Sequence, residues 1–147
     1  MTKAEVIDFA IQDQESIIGT QVETIENLKN DATREESATF DPDDMSRQAQ
    51  AKDLQMRMEL QLLKAKKDLE VLKEFRNKEM TEVQPGAVAE TSTYWIFVGI
   101  SSQPIPFDGK MLICISTDAP IYKSMLGKKK GDSFTMGNKK QTLLNVL

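Results

Sequence analysis

The stretch MELQLLKAKKDLEVL, residues 58–72, decides how the first half of this chain folds. Its apolar positions are spaced alternately by four and three residues: Met58, Leu62, Ala65, Leu69 and Leu72. This heptad spacing is typical of a helix packed along the seam of a coiled coil. We expect the helix to run from Asp44 or Ser46 to about Lys78. Three further apolar residues are expected to widen the same face: Met56, Leu60 and Leu63.

A second apolar stripe precedes this helix and fits against it. Residues 2–34 contain no proline, and their apolar residues recur at helical spacing: Ile7, Ile11, Ile18, Ile25 and Leu28. We therefore expect a first helix over these residues. Facing residues of an antiparallel hairpin have a constant sum of residue numbers. The pairs Ile11–Leu69 and Ile18–Leu62 give the same sum, which favours an antiparallel coiled-coil hairpin.

The same sum places the apex of the hairpin at Phe40, inside an acidic segment. Pro42 is expected to end helical structure, and the polar run 39–46 is typical of a turn. Residues 35–46 carry no basic side chain and five carboxylates: Glu35, Glu36, Asp41, Asp43 and Asp44. The sequence thus predicts a hairpin over residues 1–80 with an acidic tip. Acidic loops between helices also occur simply because they are well solvated, and this alternative stays open.

The composition excludes several kinds of chemistry. The chain has 147 residues and no histidine, so catalysis or metal binding by histidine is excluded. Its single cysteine, Cys114, excludes an intramolecular disulfide and a multi-cysteine metal site. Glu5 and Asp8 interrupt the N-terminus, so we recognise no signal peptide there, and no apolar stretch is long enough to span a membrane. We expect a cytoplasmic protein with no membrane partner.

A change in composition at residues 83–87 marks a second region. Pro85-Gly86 is a turn signal, and short runs with strand character follow: residues 87–90, 93–98, 111–116, 133–136 and 142–146. Between two of these runs, Asp118 is a suitable N-cap for a short helix that Gly127 would end. We predict a small β-rich domain over residues 81–147 with one short helix, and therefore an α+β chain.

Part of this second region resembles a known family. Ile115-Ser116, Pro120-Ile121, Leu126-Gly127-Lys128 and Gly131-Asp132 are similar to the C-terminal signature of the bacterial Gre family of transcript-cleavage factors. The order of a hairpin followed by a β-rich domain is similar as well. The resemblance implies that residues 81–147 adopt the fold of FKBP-type isomerases. It also implies that the chain is not an enzyme but modulates the activity of RNA polymerase.

The resemblance further implies where the protein acts. Members of the family dock on RNA polymerase and insert the hairpin into its secondary channel, where carboxylates at the tip approach the catalytic Mg²⁺. Mg²⁺ prefers oxygen ligands, and two metal ions can stabilise the attacking and leaving oxygens together. The residues expected to act there are Glu35, Glu36, Asp41, Asp43 and Asp44. The protein itself would be a monomer with no stably bound metal or cofactor, and it would meet nucleic acid only through the elongation complex.

The expected partner-binding residues lie in the β-rich region: Asp118, Pro120, Ile121, Pro106 and Phe107. For the apolar loop 104–107, packing over the core is an equal alternative. The tip departs from the family's cleavage motif, Asp-x-x-Glu-Asn-x-Glu-Tyr, of which Glu36 keeps one acidic position and Phe40 the aromatic one. Two other functions stay open: a structural coiled-coil adaptor without polymerase activity and, from fold analogy alone, a peptidyl-prolyl isomerase.

Overall fold

The computed structural model describes residues 1–36 and 42–147, so the predicted apex Phe40 and the tip residue Asp41 lie outside the described residues. The chain begins with two helices of 34 residues each, α1 (Lys3–Glu36) and α2 (Pro42–Phe75). A β-rich region with one short helix follows. The predicted α+β class is therefore confirmed, whereas the likeness to FKBP-type isomerases stays a prediction. Within the described residues, no helix has the length and apolar character needed to cross a bilayer.

The chain divides into two compact units. The helical unit is Asp13–Leu69, and the sheet unit combines Met1–Gln12 with Glu70–Leu147. Each long helix therefore contributes residues to both units. The domain boundary expected between residues 80 and 81 stays a prediction.

In the helical unit, α1 and α2 pack along a shared seam. Ile25 and Ala65 are buried, and Nε2 of Gln14 donates a 2.9 Å hydrogen bond to the carbonyl oxygen of Ala65. This contact lies within one residue of the register that the heptads predict. Lys29 and Glu59 form an exposed ion pair at 3.6 Å, offset from that register. The contact further along α1, at Lys29, is made with an earlier residue of α2 than the contact at Gln14. The two helices therefore run antiparallel.

Two details of the predicted helices are wrong. Helix α2 starts at Pro42 instead of after it, because the fixed φ of proline and its missing N–H suit the first turn of a helix. Met56, Leu60 and Leu63 do not widen the seam, since their side chains are exposed. With about 3.6 residues per turn, these three residues lie on the opposite face of α2 from Ala65. Helix α2 therefore has two apolar faces, and the seam uses one of them.

The sheet unit contains a five-stranded sheet and a separate β-hairpin. The sheet has the order β3-β4-β2-β1-β7, formed by β1 (Val88–Glu90), β2 (Tyr94–Val98), β3 (Ile105–Phe107), β4 (Lys110–Ile115) and β7 (Asn145–Val146). The hairpin joins β5 (Ser133–Met136) to β6 (Lys139–Thr142), and the short helix α3 (Pro120–Met125) lies between β4 and β5 in the chain. Neighbouring strands are antiparallel except β2 and β4, which pair in parallel with Tyr94 opposite Met111.

The sheet is covered on both faces. On one face, Ile96 and Val98 of β2 pack with Tyr122 and Met125 of α3 and with Phe134 of β5. The other face meets the first turns of α1 and the last turns of α2, in a cluster that includes Trp95, Phe97, Leu112, Val6, Ile7 and Leu72. Burial on both faces explains why β2 is a continuous apolar run rather than an alternating one.

The sequence does not predict β3 or β6, and it misplaces two other features. Pro106 is tolerated in β3 because this strand lies at the edge of the sheet. Strand β6 begins with two exposed lysines, so its sequence lacks an apolar strand pattern. The predicted strand over residues 142–146 is divided between β6 and β7. The N-cap of α3 is Ala119 and not Asp118, and no side chain caps this helix.

Candidate functional site

The predicted tip residues lie where α1 ends and α2 begins. Glu35 and Glu36 are the last two residues of α1, while Asp43 and Asp44 belong to the first turn of α2. The side chain of Asp43 is exposed. Asp41 lies outside the described residues. Four of the five predicted residues therefore border the segment 37–41 on one side or the other.

The acidic segment, residues 35–46, contains carboxylates, which are ligands of the kind that Mg²⁺ binds. Among the side chains that the structure describes, no group of three or more aspartates, glutamates or cysteines is placed to hold a metal ion. Mg²⁺ is commonly bound by one or two carboxylates together with water and phosphate oxygens. The expectation that these carboxylates act at a Mg²⁺ ion of a partner stays a prediction.

The signature-like residues after α3 shape a turn in the sheet unit. Gly127 has φ +77°, a conformation that favours glycine, and its N–H bonds to the carbonyl oxygen of Val83 at 2.8 Å. The N–H of Val83 bonds in return to the carbonyl oxygen of Lys128 at 2.8 Å. Oδ2 of Asp132 accepts a 2.8 Å hydrogen bond from the N–H of Lys129. The fold itself therefore explains why these residue types occur at this spacing.

The residues predicted to bind a partner fall in two places. Asp118 and Pro120 are exposed at the start of α3, and Ile121 is half-buried against the core beside them. Pro106 is exposed and Phe107 half-buried on β3, which pairs with the first residues of β4. Because α3 follows the opposite end of β4, the structure does not join the five residues into one surface. Their role in binding stays a prediction.

Phe107 packs over the core of the sheet unit. Its ring stacks on that of Phe9, with centroids 4.5 Å apart and planes inclined by 28°. A shallow depression of about 420 Å³ lies beside the stack and is lined by Met1, Glu5, Asp8, Phe9, Gln12 and Phe107. Of the two alternatives for the loop, core packing is thus observed for Phe107, while Pro106 stays exposed.

A charged cluster that the sequence does not reveal is centred on Lys110. Its Nζ lies 2.6 Å from Oε2 of Glu90, 2.8 Å from the carbonyl oxygen of Thr91 and 5.2 Å from the ring centroid of Trp95. The side chains of Lys110 and Glu90 are only 18% and 22% exposed. The strand order β4-β2-β1 brings these residues together, so no local motif signals the contact. The cluster ties three adjacent strands to one another.

Two polar contacts in the sheet unit join the beginning of α1 to residues just after α2. Nε and Nη2 of Arg76 donate to the two carboxylate oxygens of Asp8 at 2.5 and 2.8 Å, and the hydrogen bond holds the pKa of Asp8 below its ordinary value. Nζ of Lys3 donates to the carbonyl oxygen of Lys78. Burial lowers the pKa of Lys3 to about 8, although the carboxylate of Glu79 acts in the other direction.

Comparison with known proteins gives one distant likeness. No protein-family model and no curated protein matches the sequence. A crystal structure of the GreA factor homolog 1 protein of Thermus thermophilus is similar over 93% of this chain and 94% of its own, with 14% sequence identity and a TM-score of 0.36. At that level of similarity the match does not identify a shared function.

Proposed function

We propose that this protein regulates RNA polymerase in the manner of the Gre family. In this proposal the sheet unit docks on the enzyme, and the acidic segment between α1 and α2 enters the secondary channel. Its carboxylates then act at the catalytic Mg²⁺ and alter transcript cleavage or nucleotide addition. The observation that carries the proposal is the concentration of carboxylates between two long helices, where residues 35–46 hold five acidic and no basic side chains.

The dimensions of the helices support this role. At about 1.5 Å per residue, a helix of 34 residues is about 50 Å long. In this proposal the two helices act as a narrow probe that reaches an active site buried inside a large enzyme. An α-helix with its side chains is only about 10–12 Å wide, so a pair of helices suits a channel.

The proposal requires only that the acidic segment supply carboxylate ligands at the catalytic Mg²⁺. Phosphoryl transfer at Mg²⁺ depends on metal ions that stabilise both the attacking and the leaving oxygen. Carboxylates brought to that site can share a second metal ion or orient water, or they can compete for the resident ion. In each case the polymerase carries out the reaction, and this chain supplies ligands at a chosen position. The similarity of residues 115–132 to the Gre signature independently supports polymerase as the partner.

The test compares two charge-matched triple variants. The tip variant combines Asp41→Asn, Asp43→Asn and Asp44→Asn. The control variant combines Glu15→Gln, Glu23→Gln and Glu26→Gln, three exposed residues of α1 away from the segment. Binding to core RNA polymerase is measured by fluorescence anisotropy, and activity is measured as transcript cleavage and elongation by stalled complexes.

The tip variant is expected to bind within about twofold of the wild type and to lose its effect on the polymerase. The control variant should retain both properties. If the tip variant matched the wild type in binding and in activity, the proposed role of the carboxylates would be wrong. If the wild type did not bind polymerase at all, the proposed partner would be wrong.

A further inference from the structure

The middle of α1 consists of residues that form helices poorly. Within residues 16–25, which we call the joint segment, one residue is glycine and six branch at Cβ: Gly19, Ile17, Ile18, Thr20, Val22, Thr24 and Ile25. Side chains branched at Cβ lose freedom in a helix, and glycine loses more backbone freedom than any other residue. The composition of the joint segment therefore weakens α1 at its middle.

The neighbouring part of α2 has the opposite composition. Two contacts with α2 bracket the joint segment: Gln14 with Ala65, and Lys29 with Glu59. Residues 54–65 of α2 include both of these partners and consist of leucine, methionine, glutamine, glutamate, arginine, lysine and alanine, all of which favour helix formation. Helix α2 as a whole contains no glycine, and its only residue branched at Cβ is one valine. The two paired helices therefore differ in how readily each opens.

Packing compensates little for this weakness of α1. Between Gln14 and Ile25, which are 6% and 5% exposed, no residue of α1 is buried. Ile17 is 37% exposed, so its branched side chain opposes helix formation while much of it stays in water. A Cβ atom at Gly19 would meet nothing within 4 Å in the described part of the chain, so no close approach of another element requires the glycine.

Two polar side chains weaken the joint segment further. Oγ1 of Thr24 donates a 2.9 Å hydrogen bond to the carbonyl oxygen of Thr20, and such a bond slightly destabilises a helix and often bends it. Gln21 follows Gln14 by one heptad and so lies on the same helix face. Its Oε1 is buried and has no hydrogen-bond partner among the residues that the structure describes. A buried oxygen without a partner costs stability while the seam is closed, and opening returns it to water.

We propose that the joint segment is a conformational joint within the helical unit, which opens locally while residues 54–65 of α2 stay helical. Opening hydrates the amide oxygen of Gln21 and gives up little burial. The part of α1 that leads to Glu36 is then free to move without loss of structure in α2. Local openings of this kind require much less free energy than global unfolding. The proposal concerns the helical unit alone and does not depend on an action at polymerase.

The test is native-state amide hydrogen exchange of the full-length protein, resolved into peptides by mass spectrometry, without urea and at urea concentrations below the unfolding transition. Gly19→Ala adds helix propensity where a Cβ has room, and Gln21→Leu replaces the unpaired oxygen with an apolar group. Asp53→Ala is the control, because it adds helix propensity at an exposed position of α2. Unfolding midpoints no lower than that of the wild type establish that each variant is folded.

In the wild type, the amides of the joint segment are expected to be at least about tenfold less protected than those of residues 54–65. Low urea should hardly change their exchange, because a local opening exposes little surface. Gly19→Ala should slow this exchange about fivefold and Gln21→Leu about tenfold, whereas Asp53→Ala should leave it unchanged.

Equal protection of the joint segment and of residues 54–65 would overturn the proposal. Exchange of the joint segment that depends on urea as steeply as global unfolding would do so as well. A slowing by Asp53→Ala as large as that by Gly19→Ala would also overturn it, because the two helices would then open together.

Discussion

Gly86 lies directly against the aromatic ring of Phe75, the last residue of α2. A Cβ atom at position 86 would be 2.3 Å from Cδ1 of Phe75, closer than any real contact allows. Gly86 also has φ +92°, which favours glycine. The end of the second long helix therefore packs on the segment that leads into β1 at a distance that only glycine permits.

Replacement of Gly86 by alanine is expected to destabilise the fold by about 3 kcal/mol or more, because a backbone strain and a steric clash act together. Gly137→Ala is the matched control: it also has a positive φ, +62°, but a Cβ there meets nothing within 4 Å. The control should cost only about 1–2 kcal/mol. Urea denaturation measures both, and equal losses would show that Phe75 does not restrict position 86.

Lys3→Met is expected to flatten the alkaline pH dependence of stability. Burial lowers the pKa of Lys3 from 10.5 to about 8, so between these pH values the unfolded chain binds more protons than the folded chain. Stability therefore rises with pH across this window, by on the order of 1–3 kcal/mol for this one group. Urea denaturation of wild type and variant at a series of pH values measures the difference. Parallel pH profiles for the two proteins would contradict the expectation.

Lys110→Met is expected to destabilise the sheet unit by about 2 kcal/mol. The carboxylate of Glu90, largely shielded from water, would lose its cation, and the ring of Trp95 would lose a charge above it. Because Trp95 is the single tryptophan of the chain, its fluorescence should shift as well. Lys73→Met removes a pair with Glu70 in which both side chains are exposed, and it should cost less than about 0.5 kcal/mol. A loss no larger for Lys110 than for Lys73 would refute the structural role of the cluster.

Ala65→Leu is expected to weaken the helical unit by about 1–3 kcal/mol through overpacking of the seam. Ala65 is buried, and its carbonyl oxygen accepts the hydrogen bond of Gln14, so α1 and α2 approach closely there. Lys66→Leu, at the exposed neighbouring position, is the control and should be close to neutral. Circular dichroism during thermal unfolding measures both changes. A neutral Ala65→Leu would show that the seam has room at this position.

The long helices could be predicted from sequence because one repeating spacing extends over many residues. The heptads from Met58 to Leu72 predict α2 and, with the stripe of α1, an antiparallel pairing. The same periodicity could not show which apolar face of α2 is covered, since Met56, Leu60 and Leu63 follow helical spacing as well as the seam does. Burial there depends on the partner helix and not on α2 alone.

The candidate site was only partly predictable, because the sequence gives its charged residues but not their contacts. Acidic residues 35–44 are evident from counting the charges in the sequence, but that count does not predict where their side chains lie. The sequence prediction that Pro42 ends helical structure is wrong, because proline can interrupt a helix or lie in its first turn. Lys110 meets Glu90 only because β2 lies between their strands, which no short stretch of sequence encodes.

The decisive measurement is the rate of transcript cleavage and of elongation by stalled RNA polymerase complexes, titrated with the wild type and with a variant combining Glu35→Gln and Glu36→Gln. We predict that the wild type changes at least one of these rates saturably, and that the double variant binds the complex but leaves both rates unchanged. A wild type that alters neither rate at any concentration, or a double variant indistinguishable from it, would contradict a role for these carboxylates at the polymerase active site.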